Sequence, residues 1–257
     1  MLIDLHVHTC RYSLCGRSTP DDMLNQAENL GLQGVVITEH DVYWPPDELA
    51  GLRQRHPNVT IFSGTELTSI NGDDFLVIGP PAPHKLGAKM EAADIVAVAH
   101  ELGNLVILAH PYRYSDSVPD VAEAGLIDGI ECRSNNIHNY ATQRAKTLAA
   151  RHGLFLTAAS DGHHVDMLGL YAIDTDHRIH NERELVEALA SRAFRCYTNH
   201  HVVDKRNAEL AMRAESIRCM MNQGLDNDAI RAQLEPYHCT YTILNGMRAG
   251  KDVFWPA

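Results

Sequence analysis

Short Val/Ile/Leu-rich runs alternate with helical patterns through most of this chain, and that alternation restricts the fold more than any other feature. The runs fall near 2–8, 34–40, 59–66, 74–79, 104–110, 127–132, 154–160 and 169–174, each bounded by Gly, Asn, Asp or Pro. Helical patterns lie between them near 20–31, 47–55, 90–102, 138–152 and 181–192. Thr19-Pro20-Asp21-Asp22 reads as a helix start, with a capping hydroxyl, a first-turn proline and acids against the dipole. Gly31, Gly103 and Gly153 stand just past helical patterns, where a left-handed residue is expected. Such a chain is α/β, with parallel strands and outer helices, either a barrel or an open doubly wound sheet. It contains no GxGxxG or Walker loop, which disfavours the nucleotide-binding open sheets. Beyond about residue 200 the pattern changes. Segments 204–223 and 226–235 look helical, followed by Pro236 and a tail ending Phe254-Trp255-Pro256-Ala257. The expectation is a barrel over 1–203 and a helical extension over 204–257, packed on the barrel or on a second subunit of a homo-oligomer.

The strands share one further property: polar, metal-competent residues stand at their C-terminal ends. In Asp4-Leu5-His6-Val7-His8, strand alternation puts Asp4, His6 and His8 on one face and Ile3, Leu5 and Val7 on the other. Two imidazoles on one face of an otherwise apolar strand cost desolvation unless something pairs them, and a shared cation would do so. Val35-Val36-Ile37 runs into Thr38-Glu39-His40-Asp41, and Phe62-Ser63-Gly64-Thr65 into Glu66. Leu105 to Ala109 ends in His110, Gly129-Ile130 in Glu131, and Ala158-Ala159-Ser160 in Asp161-Gly162-His163-His164. Any one of these could be an N-cap or a loop carboxylate. Six of them at strand ends are where the active-site groups of a parallel barrel converge. Imidazoles mixed with carboxylates suit zinc, manganese or iron better than calcium or magnesium alone.

Composition sets the outer limits. The chain has 257 residues, enough for one barrel with a large core, and its 45% hydrophobic and 21% charged residues are ordinary for a globular protein. A formal net charge of −11 argues against free-standing nucleic-acid binding, which calls for a basic stripe. It leaves room for a small phosphorylated substrate, because bound cations would set the local field. The six cysteines form no CxxC pair and read as reduced cytosolic thiols. No signal-like start and no run of about 18 apolar residues is present, so the expected location is cytoplasmic, with no membrane partner.

In their order, His-Val-His, Thr-Glu-His-Asp, Gly-Thr-Glu, Ala-His-Pro and Ser-Asp-Gly-His resemble the PHP (polymerase and histidinol phosphatase) family from residue 1 to about 200. The resemblance implies a distorted (β/α)7 TIM-like barrel carrying two or three divalent metal ions. It implies that His6, His8, Glu66 and Asp161 hold one metal. Glu66 would bridge to a second with His110, where Glu131 is a further candidate, and His40 and His163 would hold a third. Two positions depart from the family pattern. Many members carry Asp or His a few residues after the HxH pair; here Thr9 to Gly16 contains neither, and Cys15 is either the substitute or a packed thiol. A family histidine near 74–79 is also missing, and Asp74 stands close to its place, as a ligand or as a strand start.

The resemblance implies a metal-dependent phosphoesterase, with a monoester of a small metabolite or nucleotide preferred over a diester. A hydroxide bridging two cations would attack phosphorus, so no protein nucleophile is needed, and no GxSxG pattern offers one. Arg113 and Arg133 follow two proposed ligands and could grip phosphate oxygens, with Arg11 a weaker candidate. His163, His164 and His138 are candidates for protonating the leaving group. An amidohydrolase cutting C–N bonds ranks lower, since no lysine occupies a strand-end motif. A non-catalytic metal-binding regulatory module is the third reading.

Overall fold

The computed structural model describes residues 1–234 and 240–257. Pro236 and Cys239, both noted in the sequence, lie outside the described residues. Among the described residues nine strands form one sheet: β1 (Leu2–Val7), β2 (Gly34–Ile37), β3 (Thr60–Thr68), β4 (Asp74–Ile78), β5 (Leu105–Leu108), β6 (Gly129–Arg133), β7 (Phe155–Ala158), β8 (Tyr171–Thr175) and β9 (Phe194–Thr198). Around it lie α1 (Pro20–Asn29), α2 (Pro46–Arg55), α3 (Ala92–Glu101), α4 (Asp120–Glu123), α5 (Asn139–His152) and α6 (Glu182–Ala190). The chain continues through α7 (His200–Asn222), α8 (Asn227–Gln233) and α9 (Tyr241–Arg248). Among the described residues no helix is long and apolar enough to cross a membrane.

The sheet order is β7-β6-β5-β4-β3-β2-β1-β8-β9, curled into a nearly closed barrel. Pairing is parallel within β1–β2–β3 and within β5–β6–β7, and antiparallel wherever β4 or β8 takes part. Seven strands therefore run one way and two run against them. The inversion of β4 follows from its connection: residues 69–73 alone join it to β3, too short a link for a parallel crossover. At the seam β9 lies against β7, where Cys196 Sγ contacts the carbonyl of Leu156 at 3.4 Å.

Helix ends form as their residues require. The Thr19 hydroxyl accepts from the Asp22 amide at 3.1 Å, and Gly153, at φ 69°, closes α5 in the left-handed region that a side chain would strain. The barrel interior is filled by Ile3, Leu5, Val36, Phe62, Leu76, Ile78, Ile107 and Phe155, and α6 joins the same cluster through Leu185 and Leu189. Val35 and Ile37 point the other way, against Met23 and Leu24 of α1 and Leu49 and Leu52 of α2. Simple alternation fails in β1. Val7 packs with the α1 cluster rather than with Ile3 and Leu5, because the β1–β2 register shifts between Asp4 and Val7.

Among the described residues after β9, several pack on the barrel. Val203 and Leu210 of α7, Ile243 of α9, and Val253 and Trp255 share one buried cluster with Ala158, Leu170 and Tyr171.

Candidate metal centre

The strand ends converge because the barrel closes there through backbone. The His8 amide donates to the Gly162 carbonyl at 2.9 Å, and the Gly162 amide donates to the His6 carbonyl at 3.1 Å. The segment after β7 is thereby stitched to the end of β1, and Asp161 is carried to His6 and His8. Likewise the Asp41 amide donates to the Glu66 carbonyl at 2.8 Å and the Glu66 amide to the Glu39 carbonyl at 3.1 Å, which sets His40 beside Glu66. His110 and Asp161 have positive φ, 26° and 51°. Non-glycine residues tolerate that region only where their surroundings fix them, and both sit where a strand ends at the cluster.

Glu66 is the hub. Its Oε2 lies 3.3 Å from His6 Nε2, 3.2 Å from His8 Nε2 and 3.0 Å from His40 Nδ1, and its Oε1 lies 2.9 Å from His110 Nε2. Asp161 Oδ1 stands 3.5 Å from His6 Nε2 and 3.6 Å from His8 Nε2. Among the described residues four groupings place their donor atoms close enough to share a cation: His6, His8 and Glu66; His6, His110 and Asp161; Glu66, Asp74 and His110; and His8, His40 and His163. Asp74, ambiguous in the sequence, is thus brought to the cluster, with its Oδ2 3.8 Å from His110 Nε2.

The donor atoms pass a chemical test for a cation. His6 Nε2, His8 Nε2, Glu66 Oε2 and Asp161 Oδ1 are all buried and have no hydrogen-bond partner, although they face one another. Buried polar atoms are rarely left so, and a cation among them would satisfy all four. The tautomers agree with this. The Ser13 hydroxyl gives its proton to Glu39 Oε2 at 2.5 Å, so His8 Nδ1, 3.3 Å from Ser13 Oγ, must be the donor there. A neutral His8 then presents a bare Nε2 lone pair to the cluster. Its pKa is lowered to about 3, by burial first and then by contact with the charges of His163 and His6.

Elsewhere in the cluster, burial opposes charge but pairing outweighs it. His6 is raised well above the usual imidazole value by Glu66, Asp161 and Glu131, and Glu66 is driven well below the carboxylate range by His6, His110 and His40. Asp161 is lowered by His6, His163 and His110. His40 rises to about 10 through contacts with Cys15 and Glu66. Protons hold this network together where metal charge could replace them.

Other residues from the sequence take different places. Glu131 Oε1 is 3.0 Å from His6 Nδ1, and its Oε2 accepts from the His110 amide at 2.8 Å, so it stands behind His6 rather than in any of the four groupings. Asp4 likewise turns from the cluster: its Oδ1 accepts from the amides of His6 and Ser160 at 3.2 and 2.9 Å. Glu39 faces Thr9, Ser13 and Trp44. Arg113 lies near enough for its charge to act on His110 and His138, and its buried Nε has no partner. Arg133 does not join it. A register shift after Glu131 breaks the expected alternation, and the guanidinium donates to the Ala257 carbonyl at 3.0 Å. Arg11 pairs with Glu48 at 2.9 Å on the surface.

Of the three histidines considered as proton donors, His163 stands at the cluster, with its ring 4.3 Å from that of His8. His138 is buried against Trp255 and lowered to about 3, by burial and then by Arg113, so it is neutral near pH 7. His164 pairs with Asp166 at 3.2 Å. Sequence reasoning missed Asn136, whose side-chain amide donates to Asp161 Oδ2 at 2.5 Å and leaves Oδ1 facing the histidines. A short polar loop carries no periodic signal that could have marked it.

Part of the sequence and the fold as a whole are similar to known proteins. Residues 139–194 match the PHP-associated family model. An error-prone DNA polymerase of Nocardia farcinica is 29% identical over 86 residues, which is 34% of this chain but only 7% of the polymerase. Two solved structures share the fold at 18% identity. One, a Bifidobacterium adolescentis protein classed as a metal-dependent phosphoesterase, superposes with a TM-score of 0.56 over 74% of this chain and 96% of its own. The other, a lesion-specific endonuclease of Pyrococcus furiosus, does so with a TM-score of 0.57 over 76% of this chain and 57% of its own. The match over 139–194 and the strand-end motif order make this chain similar to the PHP proteins, and its barrel is shared with both solved structures.

Proposed function

We propose that this protein is a PHP-type phosphoesterase that hydrolyses a phosphomonoester of a small metabolite or nucleotide at a centre of two or three zinc, manganese or iron ions. The observation that carries the reading is the convergence of four buried, unpartnered donor atoms from β1, the end of β3 and the segment after β7. His6, His8, Glu66 and Asp161 would hold one ion; Glu66, His110 and Asp74 a second; His40 and His163, with His8 at their inner side, a third. Bound cations would supply an acidified water and neutralise charge on phosphoryl oxygens.

The protein's own groups do the positioning. Glu131 takes the Nδ1 proton of His6 and fixes which nitrogen faces the centre, while Asn136 holds the outer oxygen of Asp161. Arg113, whose charge reaches His110 and whose buried Nε has no partner, would meet a non-bridging phosphate oxygen. The cavity against His110, Asp74, Arg113 and Tyr114 is about 170 Å³, below the ~300 Å³ at which drug-sized pockets begin, which favours a compact phosphate ester.

The test is elemental analysis of the reconstituted protein together with phosphate release from a panel of phosphorylated metabolites, nucleotides and one single-stranded oligonucleotide. Two or three metal equivalents and release from a monoester are expected. Metal-loaded protein inert on every phosphoester would overturn the reaction, and protein that takes up no metal would overturn the centre. Cleavage of the oligonucleotide alone would move the substrate to nucleic acid, on which the polymerase and endonuclease relatives act.

Glu131→Gln gives a finer check. It keeps the side chain's shape but weakens the hydrogen bond that sets the His6 tautomer, so metal affinity should fall by roughly 10–100-fold. A competition titration with a chromophoric chelator reads this directly. Unchanged affinity would remove Glu131 from the orienting role.

A further inference from the structure

We infer that a second cavity, between the 111–117 loop and α9, holds a flat aromatic leaving group, so that nucleoside monophosphates are preferred to aliphatic phosphates. This rests on the phosphoesterase reading above and names the substrate class of that same site. The phosphate cavity of about 170 Å³ shares Tyr112, Arg113, Tyr114 and Ser115 with a neighbouring cavity of about 250 Å³. Among the described residues lining the neighbour, none belongs to the four donor groupings. It is lined instead by Tyr112, Tyr114, Tyr140 and Tyr241, with Asn245 and Lys251. Four of the chain's nine tyrosines thus border one small space, which a flat ring fills by stacking and an aliphatic group does not. Each cavity alone is below the ~300 Å³ at which small-molecule pockets begin, and the pair suits a ligand in two parts, phosphate and ring.

The walls of the second cavity are fixed by the protein's own contacts. Asp116 pairs with Lys251 Nζ at 2.8 Å and with Arg144 Nη1 at 2.6 Å, which ties the loop to α5 and to the residue that follows α9 closely. The Tyr140 hydroxyl donates to the Tyr112 carbonyl at 3.5 Å. Tyr112 itself stands at φ 62°, a left-handed conformation that a bulky residue keeps only where its surroundings impose it. Helix α9 comes this close because Gly246 has no side chain: a Cβ there would lie 2.5 Å from Val253 Cγ1. A cavity built in advance spares part of the ordering cost of binding.

Tyr114 links the two cavities. It is 76% exposed, and the Arg113 guanidinium lies over its ring, 4.7 Å from the centroid. A base stacked on the opposite face would complete a sandwich with that guanidinium. Arg113 is also the residue whose buried Nε has no partner and would meet phosphate, so one loop would read ring and phosphoryl group together. Asn245 and Lys251 offer polar groups to the edge of a nucleobase, which a plain hydrocarbon ring could not use. The net charge of −11 favours a mononucleotide over a polymer.

The test is phosphate release by the metal-loaded protein from adenosine 2′-, 3′- and 5′-monophosphate and from ribose 5-phosphate, which lacks the base. The best of the three nucleotides should exceed ribose 5-phosphate roughly tenfold or more in kcat/KM, as stacking of one base on an aromatic side chain provides. Tyr114→Ala, at an exposed position, should remove most of that ratio. Tyr114→Trp, which keeps a stacking face, should retain it. Ribose 5-phosphate equal to every nucleotide, or a ratio that survives Tyr114→Ala, overturns the subsite while phosphoester hydrolysis stands. Release from other phosphoesters but from none of these four does the same. No release from any phosphoester overturns the reading beneath it.

Discussion

Glu66→Gln should lose at least about a thousandfold in turnover and retain at most one metal equivalent. One carboxylate here touches four imidazoles delivered by the ends of three strands, β1, β2 and β5, and it is fully buried. Glutamine keeps the volume but removes the charge and sets an NH2 group against at least one of those nitrogens. The two inner cation positions both depend on this oxygen pair, so they should fail together. Losing several kcal/mol of charge stabilisation at the reacting phosphoryl group corresponds to roughly a factor of 10³ in rate. Single-turnover phosphate release and elemental analysis of the same preparation measure both effects. Turnover within tenfold of wild type, with metal retained, would show that Glu66 bridges nothing and would sink the two-ion reading. Asp74→Asn should be milder, because Asp74 enters only one of the four groupings and stands 3.8 Å from His110.

Glu66 was visible from the sequence for a physical reason. A parallel strand must be apolar to lie in a barrel wall, so the first ionisable residue after the run marks the wall's upper rim. The same logic exposed His110 and Asp161; after β2 it reaches Glu39 first, which faces Thr9 and Ser13, and it is His40, one residue on, that joins them around Glu66 and His6. It failed where the chain leaves regular pairing. Glu131 follows an apolar run like the others, yet its two oxygens are taken by the His6 ring and the His110 amide, a contact that only the neighbouring strand's position reveals. Arg133 was carried off by a register shift two residues further on. The strand β9 was missed because Phe194-Arg195-Cys196-Tyr197-Thr198 is not an aliphatic run, although it is the strand that lies against β7 at the barrel seam. Helix α9 was missed because it is short and has a glycine within it, at Gly246. The direction of β4 was within reach: the length of 69–73 alone decides it.

Trp255→Ala carries the second large effect, an expected destabilisation of about 3–5 kcal/mol, the usual range for truncating a buried tryptophan. Trp255 is 3% exposed, and its indole donates to the Asn135 carbonyl at 3.0 Å. Its backbone amide donates to Asn207 Oδ1, and its carbonyl accepts from Asn207 Nδ2, both at 2.9 Å. Truncation would open a cavity among Tyr171, Val203, Leu210 and Ile243 and leave the Asn135 carbonyl without this donor. Because that cluster contains barrel and extension residues alike, we propose that 204–257 unfolds with 1–203 in one cooperative transition. The urea midpoint of the whole protein should then shift, by fluorescence and by circular dichroism together. A mutant in which the helical signal melts early while the barrel keeps its wild-type midpoint would instead make the extension an independent unit. The two outcomes differ at the centre as well. Asn135 precedes Asn136, which steadies Asp161, so a cooperative fold predicts weaker metal binding in Trp255→Ala, whereas an independent extension predicts metal affinity within error of wild type.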